Sequence, residues 1–111
     1  MQFNFQSLLA ALLPLASVAR ACVHFYGTVT DSNYLMDTHL IDNGFEYCSA
    51  NNVKGQLHIY IMSCCCGAKA HYDANINVVH YDPGYVLPGF SPDSYDTGSG
   101  TYDLEGDPWC S

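Results

Sequence analysis

The chain reads as a series of short alternating segments behind one continuous apolar run. Over residues 22–30, Val23, Phe25 and Val29 fall on one side, and His24, Tyr26 and Thr28 on the other. Residues 56–63 alternate more clearly, with Leu57, Ile59 and Ile61 set against His58, Tyr60 and Met62. Period-two alternation marks half-buried strands. Shorter strand candidates lie at 45–49 and 76–81, and Asn51-Asn52-Val53-Lys54-Gly55 reads as a hairpin loop joining 45–49 to 56–63. Residues 31–44 leave the period open. Asp31 or Ser32 suits a helix N-cap and Gly44 a helix stop, yet Tyr34, Leu35, Leu40 and Ile41 fit helix and strand equally. Residues 68–74 are open in the same way. The pattern predicts a mainly β fold, a small antiparallel β-sandwich. An α+β, ferredoxin-like sheet with one or two helices is the alternative.

The apolar run, Leu8 to Val18, ends at Ala19-Arg20-Ala21, whose small first and third residues suit a signal peptidase. The run is too short for a stable membrane span. Residues 1–21 are therefore expected to be a signal peptide, and 22–111 a single secreted domain. Within that domain, 83–111 is turn-rich and acidic. It also holds Tyr85, Phe90, Tyr95, Tyr102 and Trp109, which disordered tails lack. It is expected to pack on the body like a lasso, with one short strand near 102–104.

All six cysteines, Cys22, Cys48, Cys64, Cys65, Cys66 and Cys110, lie behind the leader. A small domain buries too little surface to dispense with staples, and an even count after a leader implies three disulfides in an oxidising compartment. Adjacent cysteines bridge only through a strained ring. With no bridge inside the triplet, each of Cys64, Cys65 and Cys66 takes one of Cys22, Cys48 and Cys110. Six pairings remain open, all meeting at one point. No CxxC pair supports redox catalysis or a zinc site, so no cofactor and no metal are expected.

Charge narrows the partners. Beyond the leader only Lys54 and Lys69 oppose eleven carboxylates, an excess of nine negative charges. Phosphate contacts need Lys and Arg, so nucleic acid is excluded as a partner, and anionic membranes are disfavoured for the same reason. Two His-x-Tyr units, His24-Phe25-Tyr26 and His58-Ile59-Tyr60, would gather imidazoles and phenols on one face if their strands were neighbours. His58 and Glu46 are an acid–base pair in principle. With no Arg beyond the leader, ribonuclease chemistry lacks its phosphate clamp. Thr97-Gly98-Ser99-Gly100-Thr101 is not a nucleophile elbow. Asp93, Asp96 and Asp103 lack the spacing of an EF-hand. No catalytic constellation emerges.

The leader, the early Cys22, the segment Val23-His24-Phe25-Tyr26 and a last cysteine one residue from the end resemble the small cysteine-rich secreted proteins of filamentous fungi that serve as plant-infection effectors. The plan is also similar to that of the β-sandwich MAX-type effectors. That likeness implies a bridge from Cys22 to the 64–66 triplet. The triplet and the long acidic tail depart from it, and ferredoxin-like killer toxins are a second structural likeness. The resemblance implies a secreted, non-catalytic, monomeric effector that binds a host protein or cell-wall carbohydrate. Its candidate surface is His24, Tyr26, His58, Tyr60, Tyr95, Tyr102 and Trp109. The alternatives are a small hydrolase on wall polysaccharide and a toxin against competing microbes.

Overall fold

The computed structural model describes residues 22–85 and 87–110; the leader reading for 1–21 lies outside them. Every regular element among these residues is a strand, and the strands form two antiparallel sheets. The larger sheet contains β1 (Val23–Thr30), β2 (Tyr34–Asp42), β3 (Phe45–Ala50), β4 (Val53–Lys54), β6 (Ser63–Cys64), β9 (Asp93–Asp96) and β10 (Thr101–Gly106). Its order is β6-β3-β2-β1-β10-β9, with β4 pairing β2. The smaller sheet is β5 (Ile59–Ile61), β7 (Lys69–Asp73) and β8 (Val78–Asp82), in the order β5-β7-β8. Phe25 of the first sheet meets Tyr72 of the second at 6.5 Å between ring centres, with Val23, Leu35, Leu40, Val79 and Leu104 buried around them. The expected β-sandwich is therefore the fold, and the stretches 31–44 and 68–74, left open between helix and strand, hold the strands β2 and β7.

The ambiguity of 31–44 has a local cause. Tyr26 faces His39 and Thr28 faces Met36, so β2 sets two residues, Asp37 and Thr38, opposite Gly27. Asp37 there has φ +47°, and the bulge reverses the phase of the strand. Leu35 and Leu40, an odd number of residues apart, consequently both point inward and are fully buried. Gly27 accommodates the close approach: a Cβ there would sit inside the side chain of buried Thr38.

Residues 56–63 overturn the expected facing. Leu57 and His58 form a tight turn with φ +54° and +63°. Leu57 and Ile61 are then 86% and 70% exposed, while Tyr60 and Met62 are buried. Burial of tyrosine is tolerable because each phenol finds an acceptor. Tyr60 donates to Asn33 Oδ1 at 2.7 Å, Tyr72 to Asn77 Oδ1 at 2.8 Å, and Tyr81 to Asp42 Oδ2 at 2.8 Å. No hairpin joins β3 to β5. The segment after Asn52 instead pairs with β2 through Tyr34↔Lys54 and Leu35↔Val53, and the chain then crosses to the second sheet.

The cysteines also pair otherwise than expected. β3 and β6 place Cys48 opposite Cys64, and these two bond. Cys22, entering β1, bonds Cys110 beyond β10, with the Cα atoms 4.4 Å apart. Cys65 and Cys66 are left to each other and form the vicinal bridge within an exposed turn where Cys66 and Gly67 have φ +64° and +82°. The sulfurs do not meet at one point, and Cys22 does not reach the triplet as the MAX-type likeness implied. The tail differs as well. The strand expected near 102–104 is present as part of β10, but instead of a lasso over a finished sheet the tail supplies both β9 and β10, and β10 lies inside the sheet between β1 and β9.

Loop-closure entropy separates the bridges. Cys22–Cys110 spans 88 positions and Cys65–Cys66 one, so the first restricts the unfolded chain by about 4.6 kcal/mol and the second by little. Urea denaturation of the Cys22→Ser/Cys110→Ser protein should show a loss of about that size. The Cys65→Ser/Cys66→Ser protein should change far less. The buried phenols set an alkaline limit. Desolvation raises Tyr60, Tyr72 and Tyr81, and for Tyr81 the Asp42 carboxylate adds to it. Protons that the unfolded chain releases near pH 10 are thus retained by the fold. Stability should be intact below about pH 10 and fall above it, with tyrosinate absorbance rising in step with loss of the β-sheet signal.

Candidate functional site

The outer face of the larger sheet is built by the residues that alternate away from the core. From β1 come His24, Tyr26 and Thr28, since Phe25 and Val29 point inward. From β10 come Asp103 and Glu105, because Leu104 faces the core. Register then aligns them: Tyr26 stands opposite Glu105, Thr28 opposite Asp103, and Asp103 opposite Tyr95 of β9. The bulge turns Asp37 to the same side. Tyr26, Thr28, Asp37, Tyr95, Asp103 and Glu105 line an open groove of about 470 Å³. Tyr26 and Tyr95 are 45% and 54% exposed, so both rings have faces free for contact.

This groove is electrostatically one-sided. The Thr28 hydroxyl donates to Asp103 Oδ1 at 3.0 Å, and no Lys or Arg lies among the lining residues. The Tyr95 phenol registers the field. Its pKa is raised first by the neighbouring Asp93 carboxylate, with smaller contributions from desolvation and Glu105. Toward the other end of the face, Tyr26 packs on His39 at 5.1 Å, and His39 Nδ1 lies 2.7 Å from Glu46 Oε1. Beyond the last residue of β10, His24 Nδ1 lies 2.6 Å from Asp107 Oδ1. Carboxylates, exposed phenol rings and imidazoles arranged this way accept hydrogen bonds and attract cations over ring faces.

The surface expected from the sequence is only partly gathered here. His24, Tyr26 and Tyr95 share the outer face. Tyr60 is buried and is removed from the candidate surface, because its ring stacks on Tyr72 at 6.1 Å and its hydroxyl is taken by Asn33. His58 is exposed, but in the turn before β5 and so at the other sheet. The two His-x-Tyr units therefore lie in different sheets and make no common face. Glu46, the proposed acid–base partner of His58, is engaged by His39. Tyr102 points inward against Asp96 of β9, and Trp109 is half-buried edge-on to Phe90 at 5.6 Å. Asp37, Asp103 and Glu105 were missed by sequence reasoning. The alternation Tyr102-Asp103-Leu104-Glu105 carries the signal for the last two; nothing in the sequence marks the bulge at Asp37.

The second sheet carries its own titratable pair. His71 and His80 face each other across β7 and β8 and stack at 4.7 Å. The His71 pKa is lowered by desolvation and by His80, against an opposing pull from Asp73. A lowered pKa means that the unfolded chain binds the proton more readily. This contribution to stability is present above about pH 6.5 and lost as pH falls below it. His71→Gln should flatten the acid limb of the stability profile between pH 7 and 5, measured by urea denaturation across about two pH units. Against known proteins the chain stands apart: no family model, no curated protein and no solved structure matches it.

Proposed function

We propose that this chain is a secreted, non-catalytic recognition protein of the effector kind, whose outer sheet face binds a basic segment of a host protein. Three disulfide pairs among the described residues, with no free cysteine, are the condition typical of extracellular proteins. The observation that carries the reading is the groove between Tyr26 and Tyr95, where Asp37, Asp103 and Glu105 sit without a cationic neighbour in its lining.

The chemistry favours a cationic occupant. A lysine or arginine laid across the groove exchanges contacts with two exposed phenol rings and several carboxylates. Like-charged surfaces are repelled, and the excess of carboxylates steers basic partners toward the protein from a distance. A rigid sheet also holds the aromatic anchors in place before binding, which reduces the ordering cost of the complex. Neutral wall carbohydrate would use the same rings through stacking, but gains nothing from the accumulated charge.

The test is calorimetric titration of the secreted protein with lysine- and arginine-rich peptides and with neutral oligosaccharides. Binding to basic peptides should weaken steeply with salt. Tyr95→Ala should cost about tenfold in affinity, and Asp103→Asn with Glu105→Gln should remove most of the salt dependence. Saturable binding of oligosaccharide alone would replace the basic-partner reading with the carbohydrate one.

A further inference from the structure

One cluster is used by neither the fold's core nor the groove. Where the chain enters β1 and leaves β10, Cys22, His24 and Cys110 bring one ligand atom each to within 4.8 Å of the others. His24 Nε2 faces Cys22 Sγ at 3.9 Å. The other ring nitrogen, Nδ1, is 2.6 Å from Asp107 Oδ1. An ionised carboxylate only accepts, so Nδ1 carries a proton, and in the neutral ring Nε2 then presents its lone pair to the sulfurs. A carboxylate holding an imidazole in that tautomer, with the second nitrogen aimed at a ligand position, is the outer-shell arrangement of histidine-ligated metals.

We propose that Cys22, Cys110 and His24 form a redox-gated site for a divalent zinc-like cation, with Asp107 as the residue that positions His24. With the Cys22–Cys110 bond intact, both sulfurs are committed to each other and the site is closed. A low-molecular-weight thiol pair opens it. Two electrons and two protons pass to the sulfurs, the S–S bond breaks, and the reductant leaves as its own disulfide. The cation then binds both sulfurs as thiolates, and the two thiol protons go to solvent.

The geometry is close to what zinc needs. Zinc–sulfur and zinc–nitrogen bonds of about 2.3 and 2.0 Å set tetrahedral S···N and S···S edges of about 3.5 and 3.8 Å. The S···N edge is already within a few tenths of an ångström of that value. The two sulfurs must part, which the broken bond allows, and Cys110 Sγ, within 4.8 Å of the other ligand atoms, settles onto the ion as it is released. His24 and Asp107 have side chains 50% and 55% exposed, so a water molecule has access to the fourth position. The metal would take over the task of the disulfide, holding the start of β1 to the segment after β10 in a reducing compartment.

The experiment uses the secreted chain reduced with a phosphine, which does not compete for metal as dithiols do. Zinc is titrated against a chromophoric chelator, and cobalt is added separately as a spectroscopic probe. The expected result is one zinc per reduced chain, none in the oxidised chain, and intense thiolate-to-cobalt charge-transfer absorption. Asp107→Asn should weaken binding about tenfold to a hundredfold, and His24→Ala at least as much. Cys65→Ser/Cys66→Ser should leave it unchanged. Alkylation mapping should show zinc protecting Cys22 and Cys110. If the reduced chain unfolds, zinc should restore the β-sheet circular dichroism of the wild type and not that of His24→Ala. Protection confined to Cys64, Cys65 and Cys66 would overturn the proposal. So would affinity indifferent to His24 and Asp107, or no zinc uptake by the reduced chain in either assay.

Discussion

The structure depends on the pairing of its first strand with its last. β1 lies between β2 and β10, and its partner β10 comes from the far end of the described chain. Six residue pairs from Phe25↔Gly106 to Thr30↔Thr101 form this seam, and Cys22–Cys110 closes its open end. Pairings nearer in sequence contribute the rest of the larger sheet, but without the seam the β9–β10 pair has no neighbour and Leu104 has no core to enter. Pairing of such long sequence separation carries a large closure entropy. A single covalent bond at the seam's end removes much of that entropy from the unfolded chain. The groove lies across the seam as well, since Tyr26 and Thr28 stand on one side and Asp103 and Glu105 on the other.

In the first strand, alternation disclosed the structure. Val23, Phe25 and Val29 of β1 are buried as their spacing indicates, and the β-sandwich follows from such segments. Two physical effects hid the rest. A bulge at Asp37 inverts the phase of β2, so Leu35 and Leu40, both inward, left the period open between helix and strand. Tyrosine is ambiguous in hydrophobicity: reading it as polar put Tyr60 outside, whereas a partner for its hydroxyl lets the ring go in. The cysteine pairing was illegible for a related reason. The assumption that adjacent residues avoid each other is a statement about local strain. The outcome was set by distant register, which brought Cys48 to Cys64 and Cys22 to Cys110 and left Cys65 with Cys66.

The candidate surface shows the same division. Tyr26 and His24 could be placed from the alternation of β1 alone. Tyr95 was named for the candidate surface only as an aromatic of the acidic tail. Its role as one wall of a groove required knowing that β9 adds to β10, which fixes Tyr95 opposite Asp103. Composition did announce the sign of the field, since so few cations oppose so many carboxylates. It did not announce that three of those acids converge between two tyrosines.

The outermost strand beside that groove has a further consequence. β9 ends the larger sheet, and Asp93, Ser94, Tyr95 and Asp96 are all exposed along it. An unpaired strand edge is a template on which another polypeptide can grow. Here an aspartate at each end makes that growth electrostatically unfavourable between copies of the same anionic protein. Freedom from edge-to-edge association thus becomes a property governed by two carboxylates at the rim, separate from the folding of the sheet behind them.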